Sequence, residues 1–176
     1  MNTIFSIARL TFQEAVRRKI VVAALVLGAA FLLLYDVGFY FIQLEFSKEI
    51  ARRSSSTYYQ NQAFNFFYMA GMYVVNFLGI AIAALISADS LAGEIQSGTI
   101  QAVVTKPIRR SGVVLGKWLG HAALLLFYLV LMGGGVTISV WLLSDFQPVG
   151  WLAGLSLIYF NALTILSLTL ALSSSL

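Results

Sequence analysis

Cysteine is absent from this 176-residue chain, so it holds no disulfide, thiolate zinc site or iron–sulfur cluster. Histidine occurs once, at His121, which rules out a metal centre built from several imidazoles. Charge is scarce too. Only 10% of residues are Asp, Glu, Lys or Arg, against about 25% in ordinary soluble domains, while 60% are hydrophobic. So little charge cannot cover a surface facing water, and the composition points to lipid as the solvent. No basic tract interleaved with aromatics is present, which leaves nucleic-acid binding without support. The phosphate-loop pattern Gly-x-x-x-x-Gly-Lys-Ser/Thr is missing, as is a Gly-x-Ser-x-Gly turn. No nucleophile–base–acid set can be drawn, so the chain reads as a non-enzyme with no cofactor and no metal of its own.

What is present is length in apolar runs. Crossing about 30 Å of hydrocarbon takes roughly 20 mostly apolar residues in a helix. Four stretches qualify: about 20–42, 64–86, 113–143 and 151–172. The fold class read from them is all-α, a polytopic membrane protein with a transmembrane domain over residues 20–176. The first stretch is too long for a signal-peptide core, and Phe39-Tyr40-Phe41 stands where a cleavage site would need small residues.

Lysine and arginine in the connecting segments set the orientation. Arg9, Arg17, Arg18 and Lys19 flank the first span; Lys106, Arg109, Arg110 and Lys117 lie between the second and third. Between the third and fourth spans stands Asp145 with no basic residue. Both basic flanks are therefore expected in the cytoplasm, and the N-terminus with them. Mixed charges between spans one and two weaken this bias without reversing it. Aromatic belts agree: Phe64, Phe66, Phe67, Tyr68 and Tyr73 crowd the outer end of span two, and Trp141 and Trp151 flank the outer turn.

Residues 1–19 carry Ile4, Phe5, Ala8, Phe12, Ala15 and Val16 at helical spacing, with Arg9, Gln13 and Arg17 between them. This predicts an amphipathic helix at the cytoplasmic interface, anchored by Arg9, Arg17, Arg18 and Lys19. The first span is expected to continue as helix to about Arg53, where Glu49 and Arg53 pair at i,i+4, and Ser54 to Thr57 to form a loop. The cytoplasmic segment 87–112 is far longer than an ordinary connection between bundle helices, about 2–8 residues, and it is partly apolar, which suggests a partner. Asp89 or Ser90 is expected to cap a new helix there, Gly98 to end or bend it, Ile100, Val103 and Val104 to form a second short apolar face, and Lys106-Pro107 to stop it.

Within that segment, Glu94, Gly98 and Thr99 form a Glu-x-x-x-Gly-Thr run. Lys-Pro-Ile-x-Arg follows at Lys106 to Arg110, then Gly116-Lys117. Together with Ile-Ala-Arg-x-Thr-x-x-Glu-x-x-Arg-Arg-Lys at Ile7 to Lys19, these runs resemble ABC-2-type transporter permeases, in particular the subgroup associated with multicopper-enzyme maturation. The resemblance covers most of the chain. It implies a permease that pairs with itself or a second permease, sits on two cytoplasmic ATPase subunits that bind ATP and Mg, and exports its substrate. It further implies that segment 87–112 is a coupling elbow that includes Thr99 and Lys106, with Glu94, Arg109 and Arg110 expected to face the ATPase and Gly98 and Pro107 to shape the turn. The implied location is a bacterial or archaeal cytoplasmic membrane. Such permeases carry six spans and this chain four, so an incomplete chain is expected, with a genuinely four-span protein as the alternative. A membrane-anchored scaffold without transport is the alternative.

Other residues qualify as functional on their chemistry. Asp36 lies within or at the outer end of span one: inside the span a carboxylate is costly enough to mark a pathway residue, and at the boundary it is a solvated interfacial group. Gly112, Gly116 and Gly120 are each four apart and suit close helix packing, within the chain or between copies. Gly133-Gly134-Gly135 suits a bend or a tight contact in span three. His121, Asn76 and Asn161 read as hydrogen-bonding groups between helices. Met69 and Met72, three apart, read as packing rather than a copper site.

Overall fold

Backbone amides and carbonyls have no water to pair with in hydrocarbon, so a chain of this composition must satisfy them within helices. The computed structural model describes residues 2–53, 57–97 and 110–175, with side-chain surroundings for 5–45, 48, 60–88 and 112–172. Five helices account for almost all of it: α1 (Asn2–Arg17), α2 (Lys19–Arg53), α3 (Thr57–Ser97), α4 (Arg110–Ser144) and α5 (Trp151–Ser175). Four of them hold stretches long and apolar enough to cross a membrane: Lys19–Glu45, Gln60–Ala88, Gly112–Ser144 and Trp151–Leu172.

The spans run up and down in sequence, and α4 is the hub. Its buried stripe, Leu125, Leu129, Met132, Val136 and Val140, follows helical spacing with every member at most 1% exposed. Against it lie Val75, Ile82, Ala83 and Ile86 of α3 and Ala162 and Leu166 of α5. Glycines set how closely the neighbours approach. A Cβ on Gly79 of α3 would come within 2.8 Å of Leu129, one on Gly133 within 2.6 Å of Leu155 of α5, and one on Gly135 within 2.9 Å of Leu32 of α2. The triple glycine thus serves tight contact: α4 runs through it without interruption. At the end of the bundle away from the N-terminus, Phe39 packs at a tilt on Phe64, ring centroids 5.5 Å apart, and Phe64 on Phe146 at 6.4 Å, which ties α2, α3 and the α4–α5 turn together.

Burial is uneven. In the central apolar windows, 44% of residues in α3 and in α4 are buried, against 11% in α2 and in α5. The two inner helices form the core, while α2 and α5 present apolar faces such as Leu33, Leu34, Leu157 and Phe160 outward. Those faces suit lipid or another apolar subunit.

The α4–α5 turn is short because its two ends are capped. Asp145 adopts φ 53°, and its amide donates to the Trp141 carbonyl at 2.9 Å. A left-handed residue just past a helix end is the usual device for closing the last turn, and aspartate is among the few non-glycines that tolerate it. Gly150, at φ 77°, does the corresponding job before α5.

Two expectations need correction. No new helix begins at Asp89 or Ser90: both lie inside α3, which runs on to Ser97. The reason is local. The stretch holds no proline, and Ala88, Leu91, Ala92 and Glu94 are strong helix formers, so an N-cap residue in mid-helix has nothing to interrupt. Likewise Thr57 opens α3 and does not belong to a loop. The expected second apolar face at Ile100, Val103 and Val104 lies outside the described residues.

At Gly120 the contact is with backbone: a Cβ there would lie 2.8 Å from the Ala8 carbonyl oxygen of α1. Overpacking against an unyielding atom costs about 1–3 kcal/mol. Gly120→Leu is therefore expected to lower the unfolding midpoint in micelles by several degrees and to expose α1 to protease. Gly134→Ala, where nothing lies within 4 Å, is expected to be neutral or slightly stabilising.

Candidate functional site

At the end of the bundle that carries the N-terminus, α1 folds back onto the first turns of α4. The chain breaks helix at Arg18, whose amide donates to the Ala15 carbonyl at 3.0 Å; Val21 and Val22 then donate to the Arg18 carbonyl. This tight link turns α1 so that Ile7, Ala8, Thr11 and Ala15 form one face. Ala15 is buried, and Ala8 and Thr11 meet Gly120. Gly116 is buried as well and Gly112 half-buried. Arg9, Gln13 and Arg17 are exposed on the opposite side, and Phe5 and Val16 flank the contact as exposed apolar groups.

Four charged or titratable side chains gather where α1 meets α4. Arg18, in the link after α1, donates to the carboxylate of Glu14, four residues earlier, at 2.6 Å. Lys117 and His121 reach the same place from α4, around a hollow of about 110 Å³. His121 is 3% exposed, and its Nδ1 has no hydrogen-bond partner. The expected bond to a neighbouring helix is thus not made at that nitrogen. An unpaired buried polar atom costs about 1–3 kcal/mol, which makes this the most conspicuous unsatisfied group at this end of the molecule.

Between the N-terminal halves of α3 and α5 runs an open groove of about 580 Å³. Asn161 donates to Asn76 across it at 3.1 Å, the helix-to-helix bond that the two asparagines led us to expect. Tyr68, Met69, Met72, Tyr73 and Trp151 line the rest. Tyr68 and Thr137 are 3.4 Å apart at their hydroxyls. Thr137 spends its proton on the Gly133 carbonyl at 2.7 Å, so Tyr68 is the donor between the two. Sequence reasoning missed this groove. The signal was legible in Asn65, Met69, Met72 and Asn76, which recur at three- and four-residue spacing on one face of α3. Met72 is buried and Met69 exposed, an arrangement of packing groups. Among the described residues no three His, Cys, Asp or Glu side chains gather as a metal site would need.

Asp36 lies nine residues before the end of the Lys19–Glu45 span, about 14 Å along the helix. It faces an open hollow shared with Tyr40, Ser139 and Leu143, and its Oδ1 is buried without a hydrogen-bond partner. Its neighbour Tyr35 is satisfied, donating to the Phe67 carbonyl at 3.2 Å. The structure does not bring Asp36 together with the charged cluster at the opposite end of the bundle.

The elbow residues fall largely beyond what is described. Gly98, Thr99, Lys106, Pro107 and Arg109 lie outside the described residues. Glu94 and Arg110 sit on helical backbone in the last turn of α3 and at the start of α4, with side chains outside the described set.

The described residues form five helices, with the basic first helix packed on the central span. Residues 5–176 match the model of the ABC-2 family transporter proteins, and the chain belongs to that family. It is similar to a protein of Stutzerimonas stutzeri named as a probable ABC transporter permease protein, NosY, with 30% identity over 79 residues, 45% of this chain and 29% of the relative. The protein of the same name from Pseudomonas aeruginosa is 31% identical over 67 residues, 38% of this chain and 24% of the relative. The matched stretches thus span under a third of the length of these relatives.

The asparagine pair gives a direct test of the α3–α5 contact. Hydrogen bonds between membrane helices contribute about 0.6 kcal/mol on average and up to about 1.7. Asn161→Leu is expected to destabilise the protein by about 1 kcal/mol in denaturant unfolding from micelles. Adding Asn76→Leu should restore most of that loss; a second, additive loss would show that the two amides act independently.

Proposed function

We propose that this chain is the transmembrane part of an ATP-driven ABC-2-type exporter, working with a separate cytoplasmic ATPase that binds ATP and Mg. The observation that carries this reading is the family match over residues 5–176, nearly the whole chain. The names of the two relatives support a permease role. In this reading the membrane is a bacterial or archaeal cytoplasmic membrane, and the N-terminus and segment 87–112 face the cytoplasm. The exposed apolar faces of α2 and α5 are available for lipid and for a second permease copy or a different permease subunit.

Coupling is assigned to the end of α3, the following segment and the start of α4. Glu94, Lys106, Arg109 and Arg110 contact the ATPase; Gly98, Thr99 and Pro107 shape the turn. Because α3 is unbroken from Thr57 to Ser97, a push on its cytoplasmic end reaches the groove beside Asn76 without a hinge in between. Asp36, a carboxylate inside the span with a buried unpaired oxygen, is the pathway candidate.

The test is purification of the full-length product from native membranes in mild detergent, with mass spectrometry of what accompanies it. An ATP-binding subunit is expected to copurify. Glu94→Lys, which places like charges together at the docking face, is expected to reduce its recovery at least about tenfold, equal to 1.4 kcal/mol. If no ATPase accompanies either form, the transport reading gives way to a membrane-anchored scaffold.

A further inference from the structure

The hollow between α1 and α4 has a composition that packing alone does not explain. Thr11, Glu14 and Arg18 face it from α1 and the link that follows; Lys117 and His121 face it from α4. Arg18 is held by Glu14, and Lys117 brings a second cation to the lining. The hollow measures about 110 Å³, several times the roughly 30 Å³ share of one water, so it has room for a tetrahedral oxyanion. His121, 3% exposed, also lines it, and its Nδ1 has no hydrogen-bond partner.

Depth narrows the ligand. The α4 span, Gly112–Ser144, is 33 residues long, about 50 Å, so roughly 10 Å at each end extends beyond 30 Å of hydrocarbon. Lys117 lies about 8 Å into that span and Arg18 immediately precedes the α2 span, which places both at the level of lipid phosphates. Leu10, also lining the hollow, is 64% exposed, and Phe5 and Val16 are exposed on the same helix, offering apolar surface beside the charged pocket.

We propose that this hollow binds a phosphate group, supplied by the headgroup of an anionic phospholipid, and that the lipid clamps α1 against α4. Arg18 and Lys117 provide charge-assisted hydrogen bonds to the phosphate oxygens, and basic pockets between membrane helices are a recurrent setting for headgroup recognition. Glu14 pairs with Arg18 and so competes with the phosphate for it. The site stands independently of transport or of an ATPase partner.

His121 is the chain's single histidine, so an isotope-labelled imidazole gives one signal at the site. The experiment titrates the full chain in uncharged detergent with short-chain phosphatidylglycerol, short-chain phosphatidylcholine and inorganic phosphate, following that signal by NMR. Phosphatidylglycerol is expected to shift it saturably, with Lys117→Gln weakening binding at least about tenfold. Glu14→Gln, which removes the competing carboxylate, is expected to tighten it, and Lys117→Arg to preserve it should Lys117→Gln lose helicity. Saturation by inorganic phosphate at comparable concentrations would keep the phosphate pocket but reject the lipid as its source. No saturable shift with any titrant overturns the proposal. So does an equal response to both lipids that Lys117→Gln leaves unchanged, or weaker binding in Glu14→Gln.

Discussion

The central span can touch all its neighbours only because small residues let their backbones come near. Lipid tails are as apolar as leucine, so helices in a bilayer gain little from hiding apolar surface and associate by close packing instead. In α4 that packing is distributed along the helix. Gly120 receives α1, Gly133 receives Leu155 of α5, and Gly135 receives Leu32 of α2. From the other side, Gly28 of α2 receives Met132 and Gly79 of α3 receives Leu129. Knob and hollow alternate between partners along α4.

Polar groups are placed sparingly within this framework. Most hydroxyls in the spans bond back to their own helix, as Ser87 does to the Ala83 carbonyl at 2.7 Å and Thr164 to the Phe160 carbonyl at 3.0 Å. A few reach across: Trp118 to Ser167 at 2.9 Å, Tyr159 to the Ala122 carbonyl at 3.2 Å, and Asn161 to Asn76. The unsatisfied exceptions, Asp36 Oδ1, His121 Nδ1 and the Tyr128 hydroxyl, stand out against that economy. Two of them border hollows, which is why those two places attract functional readings.

Much of the architecture was legible from hydropathy. Apolar runs at 20–42, 64–86, 113–143 and 151–172 mark the four spans to within a few residues, because the length needed to cross hydrocarbon leaves little freedom. The asparagines, too, could be read as partners, since an amide in lipid must find one. Legibility failed where local signals compete. Asp89 and Ser90 have the chemistry of caps, but capping matters only if the preceding helix stops, and nothing around Ala88 stops it. The meeting of Glu14, Arg18, Lys117 and His121 was hidden for another reason. It depends on α1 folding back at Arg18, a tertiary event that no periodicity within either helix encodes. The groove beside Asn76 depends likewise on how α3 and α5 diverge.

The unbroken course of α3 has a mechanical consequence. Its 41 residues make a rod about 62 Å long, roughly twice the hydrocarbon thickness. A stiff rod held near its middle behaves as a lever: its two ends must travel in opposite directions. Tilting by about 10° would carry each tip about 5 Å, close to one helical pitch. Two glycines nearer its middle, Gly71 and Gly79, are seated against Tyr35 and Leu129, so the fulcrum is set by those two contacts. Sideways displacement at one membrane face would thus appear, reversed in sense, at the other.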